Sequence, residues 1–122
     1  MWHPLFGPIL DYPLAVCDSS TVSEDDLVES DYIYPNFEGE NYIVKANEAH
    51  RWYYMKEQDQ DDILIITNYD SETGNRKSFS SLRIFCLFTI IGVPHSGFQL
   101  PPDERVTRLR ESFEMRIVVY YD

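Results

Sequence analysis

Apolar and aromatic residues recur in this chain with a period of two, in short runs. A proline, a glycine or a cluster of acids cuts each run off before it reaches helical length. Alternation of that kind puts every second side chain on one face of a strand, so it argues for half-buried β-structure and against amphipathic helices. Residues 40–47 place Tyr42, Val44 and Ala46 on one side, and residues 113–121 do the same with Phe113, Met115, Ile117, Val119 and Tyr121. Residues 50–56 are rich in aromatics and residues 63–67 in β-branched side chains, both favoured on a pleated surface. Pro4, Pro8 and Pro13 exclude a helix from the first 17 residues and suit extended chain or an edge strand. One short helix is expected where Ser23 precedes Glu24, Asp25 and Asp26, because a serine cap and acids in the first turn satisfy free N–H groups and the helix dipole. Nothing alternates strand with helix, so the expected fold is mainly β, a sandwich or barrel, in one domain over residues 1–122.

Composition narrows the function. At 122 residues, 43% hydrophobic and 15% aromatic, the chain has the material for a core and is no disordered tail. Acids outnumber bases 21 to 10, which excludes a general nucleic-acid binder, since that needs a basic surface to displace counterions. The apolar run at residues 84–91 is far below the roughly 20 residues that span a bilayer, and no basic leader precedes an apolar core. A soluble cytoplasmic protein without a membrane partner is expected. Cys17 and Cys86 form no metal-binding or redox motif, and Cys17 reads as a packed thiol. Asp59, Asp61 and Asp62 lack the glycine and bidentate glutamate of a calcium loop and read as a solvated turn.

Four segments carry candidate chemistry. His95 stands between Pro94 and Gly97, which hold backbone geometry at a strand entrance, and such an imidazole can meet a metal. Taken alone it is more simply a solvated loop histidine. Arg110 and Ser112 are two apart, hence on one strand face, where a guanidinium fork and a hydroxyl together suit a carboxylate. The plain alternative is a surface arginine paired with one of many acids. Arg116, set between Met115 and Ile117, is the rival and is expected to point inward. Trp52 and Tyr54 are weak candidates to face a substrate, buried core being the commoner role for such residues.

Several segments in order resemble one family. They are Trp2-His3-Pro4-Leu5 with Gly7-Pro8, Asp11-Tyr12-Pro13-Leu14-Ala15-Val16-Cys17-Asp18, Asp25-Asp26-Leu27-Val28, Tyr34-Pro35, Glu38-Gly39-Glu40, residues 47–54, Tyr69-Asp70-Ser71, Pro94-His95-Ser96-Gly97-Phe98 and Arg110-Glu111-Ser112-Phe113-Glu114-Met115-Arg116. The set resembles the fungal hydroxylase/desaturase (AsaB-like) family of secondary metabolism. The resemblance implies a double-stranded β-helix of jelly-roll or cupin type, with Fe(II) and 2-oxoglutarate as cofactors. It implies that His95 is the distal iron ligand and that Arg110 and Ser112, with Arg116 in reserve, hold the carboxylate of 2-oxoglutarate. The small-molecule partner would be a secondary metabolite of a full-length parent.

Two departures shape the expectation. The family's His-x-Asp lies upstream of the Trp-x-Pro-Leu segment at which this sequence starts, and neither His3, His50 nor His95 opens such a pair. The chain therefore reads as the C-terminal part of an oxygenase, inactive alone. A non-catalytic β-domain or a pseudogene product is the alternative, and a lipid- or pigment-binding barrel has no specific residue behind it. Half a β-helix is also expected to expose strand edges and to self-associate. Second, residues 77–92 match nothing in the family and form an atypical insert. Arg76-Lys77-Ser78 can be encoded with a GTAAGT donor and Ile91-Gly92 with a TAG acceptor, so the insert reads as a retained intron whose removal keeps the frame. A genuine buried strand or short helix is the other reading.

Overall fold

A computed structural model describes residues 1–68 and 92–120. The atypical insert at 77–92 lies outside them, apart from Gly92. Seven strands form three antiparallel sheets: β1 (Trp2–Pro4) with β7 (Ser112–Glu114); β5 (Trp52–Tyr54), β2 (Leu14–Cys17) and β6 (His95–Gly97) in that order; and a hairpin of β3 (Leu27–Tyr34) and β4 (Phe37–Val44). The fold is mainly β, as expected.

The first 17 residues are extended, but they do not all lie at an edge. Pro13 precedes β2, so the missing N–H falls outside the ladder and β2 can take the centre of its sheet. Its Leu14, Ala15 and Cys17 are buried, and with Trp2, Ile9 and Val22 they make up the apolar core of the described residues. The Cys17 thiol lies near the Asp18 carbonyl and the Thr21 hydroxyl, and burial pushes its pKa up, so it packs as a protonated, unreactive group.

The acidic segment at 24–26 forms a single 3-10 turn. The Ser23 side chain accepts the Asp25 N–H, and the Asp26 carboxylate accepts the Ser23 N–H at 3.0 Å, a reciprocal capping box. Asp26 also accepts from Asn47 Nδ2 and lies 3.0 Å from His50 Nε2, whose side chain is 3% exposed. These bonds tie the base of the β3–β4 hairpin to the loop that leads into β5.

Two expected strands are shorter than the alternation predicts. Residues 63–67 make only one bridge, Leu64 to Trp2, closed by two backbone hydrogen bonds. β7 ends at Glu114, although the alternation runs on to Tyr121. Its partner β1 is exhausted there, and the last hydrogen bonds join Met1 and Met115.

Candidate functional site

Register determines which side chains face one another. In β6, His95 and Gly97 share a face; across the ladder, Val16 pairs with His95 and Leu14 with Gly97. On the first sheet, Trp2 pairs with Glu114 and Pro4 with Ser112, so these four share a face, while His3 and Phe113 take the other and pack ring to ring at 5.2 Å. The two sheets turn these faces toward one depression, lined by Trp2, Leu14, Ile66, Asn68, His95 and Glu114 among others. The segment at 63–68 joins them: Leu64 bonds to Trp2, and the Val93 N–H donates to the Thr67 carbonyl at 2.9 Å.

Arg110 lies beside this depression, behind Trp2, and neither it nor Ser112 lines it. Its Nη1 donates to Ser112 Oγ at 3.0 Å, its guanidinium carbon stands 5.6 Å from the centroid of the buried Trp2 ring, and its Nη2 lies 3.8 Å from where a Cβ on Gly97 would be. The backbone is held as well, since the Arg110 N–H donates to Asp11 Oδ2 at 2.8 Å. Arg110 Nε is buried with no hydrogen-bond partner. A buried cationic donor without an acceptor is uncommon, and it suits an anion delivered from outside. Ser112 Oγ, having accepted from Arg110, keeps its own O–H to donate.

His95 is oriented for lone-pair donation. Its Nδ1 lies 2.9 Å from the Val93 carbonyl oxygen, which can only accept, so the proton sits on Nδ1 and the neutral ring keeps its lone pair on Nε2. A backbone carbonyl behind one ring nitrogen is the usual device that sets the tautomer of a metal-ligating histidine. The residue is exposed, on the open side of the depression. No group of three His, Cys, Asp or Glu side chains that could hold a metal occurs among the described residues. The described residues therefore bring an arginine–serine pair and one imidazole near Trp2, and do not complete a metal centre.

The other predicted residues lie elsewhere. Trp52 pairs with Cys17 and Tyr54 with Ala15, which puts both on the sheet face opposite His95; Tyr54 packs edge-on against Phe98. Tyr53, paired with Val16, is the aromatic residue that β5 turns to His95's side. Arg116 is exposed, two residues beyond the end of β7, and does not point inward as the alternation implied.

A family model described as Oxidoreductase/YMDC permease-like domain matches residues 1–120, and the chain belongs to that family. It resembles fungal Fe(II)/2-oxoglutarate-dependent hydroxylases and desaturases. It is 32% identical over its whole length to Aspirochlorine biosynthesis protein N of Aspergillus oryzae, covering 47% of that protein. It is 34% identical to the Fe(II)/2-oxoglutarate-dependent dioxygenase nvfI of Aspergillus novofumigatus, 98% of the chain matching 39% of the relative. Identity to the Gibberella fujikuroi gibberellin cluster GA4 desaturase is 30%, over 98% of this chain and 33% of that one. A solved structure of the iron and alpha-ketoglutarate-dependent endoperoxidase NvfI superposes with a TM-score of 0.67 at 27% identity, covering 91% of this chain and 37% of that one. The fold is accordingly that of the double-stranded β-helix, and the chain spans less than half the length of each of these relatives.

Proposed function

We propose that this chain carries the cosubstrate-binding part of an Fe(II)/2-oxoglutarate-type oxidoreductase site. Arg110 and Ser112 grip a carboxylate of 2-oxoglutarate, and His95 offers Nε2 to the metal. The observation that supports this most is the buried Arg110 Nε, a charged donor left without an acceptor in a guanidinium that already bonds the Ser112 hydroxyl. Trp2 and Gly97 shape the cradle, one as an apolar wall and the other as empty space. Arg116 has no part in it, and Tyr53 is the β5 side chain on the site's face.

A parent of this kind would hydroxylate or desaturate a small secondary metabolite, iron and 2-oxoglutarate supplying the oxidant. Because the metal ligands are incomplete among the described residues, the chain's own contribution is binding and orientation, and no oxidation step is assigned to it.

Titration of the chain with 2-oxoglutarate tests this reading. Binding is expected in the millimolar range and to weaken about 30-fold in Arg110→Ala, the ~2 kcal/mol of a charge-assisted hydrogen-bond pair. Ser112→Ala should weaken it less, and Arg116→Ala should leave it unchanged. Equal losses in Arg110→Ala and Arg116→Ala, or no binding at all, would overturn the proposal.

A further inference from the structure

The β3–β4 hairpin has two unlike faces. Register puts Val28 and Ile43, Ser30 and Asn41, Tyr32 and Gly39, and Tyr34 and Phe37 on one side. Glu29, Asp31, Glu38 and Glu40 lie on the other, with Ile33 standing exposed among them and half-buried Leu27, Tyr42 and Val44 anchoring the hairpin's base. The first face is turned away from the rest of the described chain: Val28, Tyr32, Tyr34, Phe37 and Ile43 are 40–58% exposed. A two-stranded sheet is marginal in water by itself, and one apolar face of this extent needs a cover.

We propose that the cover is the same face of a second copy of this chain. Three features support a self-complementary contact. First, the apolar stripe has large aromatics at the tip, Tyr34 and Phe37, and aliphatics at the base, Val28 and Ile43. A two-fold axis through the middle sets each tip over the partner's base, the isologous arrangement that closes a dimer. Second, the polar group at the middle is satisfied in part, Asn41 Nδ2 donating to the Tyr32 hydroxyl at 3.1 Å, and the Tyr32 O–H and second Asn41 N–H that remain need acceptors across the axis, where the partner copy presents its own Asn41 Oδ1 and Ser30 Oγ. Third, the area suffices. Three half-exposed aromatics and two aliphatics present on the order of 500 Å² per copy, or ~1,000 Å² in the pair, the lower end for a specific interface. Stacking at the ~10 Å spacing of packed sheets leaves all eight hairpin carboxylates on the two outer faces, in water. No Lys or Arg lies within β3 or β4 to offset them. The outer carboxylates face away from each other across roughly 20 Å, inside the ~30 Å screening length of 0.01 M salt and beyond the ~10 Å of 0.1 M salt, so raising salt should tighten the dimer where an ion-paired one would loosen.

Sedimentation equilibrium of the 122-residue chain at low and moderate salt reads this directly. A dimer that tightens with salt is expected. Tyr34→Ser with Phe37→Ser should raise its dissociation constant by at least about 100-fold, as the loss of central aromatic anchors does. Glu29→Gln with Glu40→Gln should keep the dimer and flatten the salt response. Should the double serine variant lose its far-UV signature, cross-linking gives an independent answer in an otherwise intact chain. Ser30→Cys, beside the two-fold axis, should form an intermolecular disulfide on mild oxidation, and Glu29→Cys, on the acidic face, should not. A monomer at every salt concentration, a dimer indifferent to Tyr34 and Phe37, or equal cross-linking from both cysteines would overturn the proposal.

Discussion

Arg110 is placed by residues that the proposed chemistry does not use. Asp11 fixes its backbone, Trp2 lies alongside its guanidinium, and Gly97 leaves the gap into which Nη2 fits. A Cβ on Gly97 would stand 3.3 Å from the Tyr12 ring and 3.8 Å from Nη2, already tight on the tyrosine side. Gly97→Val should therefore displace the guanidinium. Its expected signature is a loss of 2-oxoglutarate binding comparable to that of Arg110→Ala, with thermal stability lowered by ~1–3 kcal/mol from overpacking. Calorimetric titration beside a thermal melt separates the two effects; binding retained at wild-type strength would contradict the geometry. The pairing of Arg110 with Ser112 was legible in the sequence because it is local, although Arg110 lies just before β7 and reaches Ser112 by a side-chain hydrogen bond rather than by sharing a strand face. Which of Trp52, Tyr53 and Tyr54 faces His95 was not legible. Parity across β5, β2 and β6 depends on ladders between segments 35 residues or more apart in sequence, and a slip of one residue reverses every side chain.

At the scale of elements, alternation located most strands but could not say where each would stop. A strand lasts only as long as its partner, which is why β7 ends at Glu114 and residues 63–67 make one bridge. The capped turn at Ser23 was legible through its serine and acids, whereas Asp26's part in holding His50 and Asn47 was not, since those partners arrive from 21 and 24 residues away. Hydrogen bonds from the Asn47 side chain, the Ser23 N–H and His50 hold the Asp26 carboxyl below the usual carboxylate range. A depressed carboxylate pKa stabilises the fold above the unfolded-state value, and that contribution fades as pH falls through the folded value. Asp26→Asn should thus lower the melting temperature at pH 7, with the gap to the unsubstituted chain closing below about pH 4. Melts across that window check it. A gap that widens on acidification would mean that Asp26 is not the acceptor at the hairpin's base.

For the molecule as a whole, the chain has more apolar surface than its described core uses. Exposed Ile33, Tyr34, Phe37, Leu109 and Val118 contrast with a core of six buried hydrophobic residues. No helix among the described residues is long and apolar enough to cross a membrane. The fold class was readable because period-two patterning is a property of each segment. The site was readable only in part, because a jelly-roll site is assembled between sheets whose relative placement no single segment encodes. The account stands on His95 turning a free Nε2 toward the depression beside Arg110. Its most direct test is an anaerobic Fe(II) titration followed by histidine ring NMR signals. The paramagnetic ion is expected to broaden the His95 resonances first, at concentrations that leave His3 and the Asp26-bound His50 sharp, and to do so more strongly with 2-oxoglutarate present. His95 resonances that stay sharp at millimolar Fe(II), or that broaden no sooner than those of His3 and His50, would contradict it.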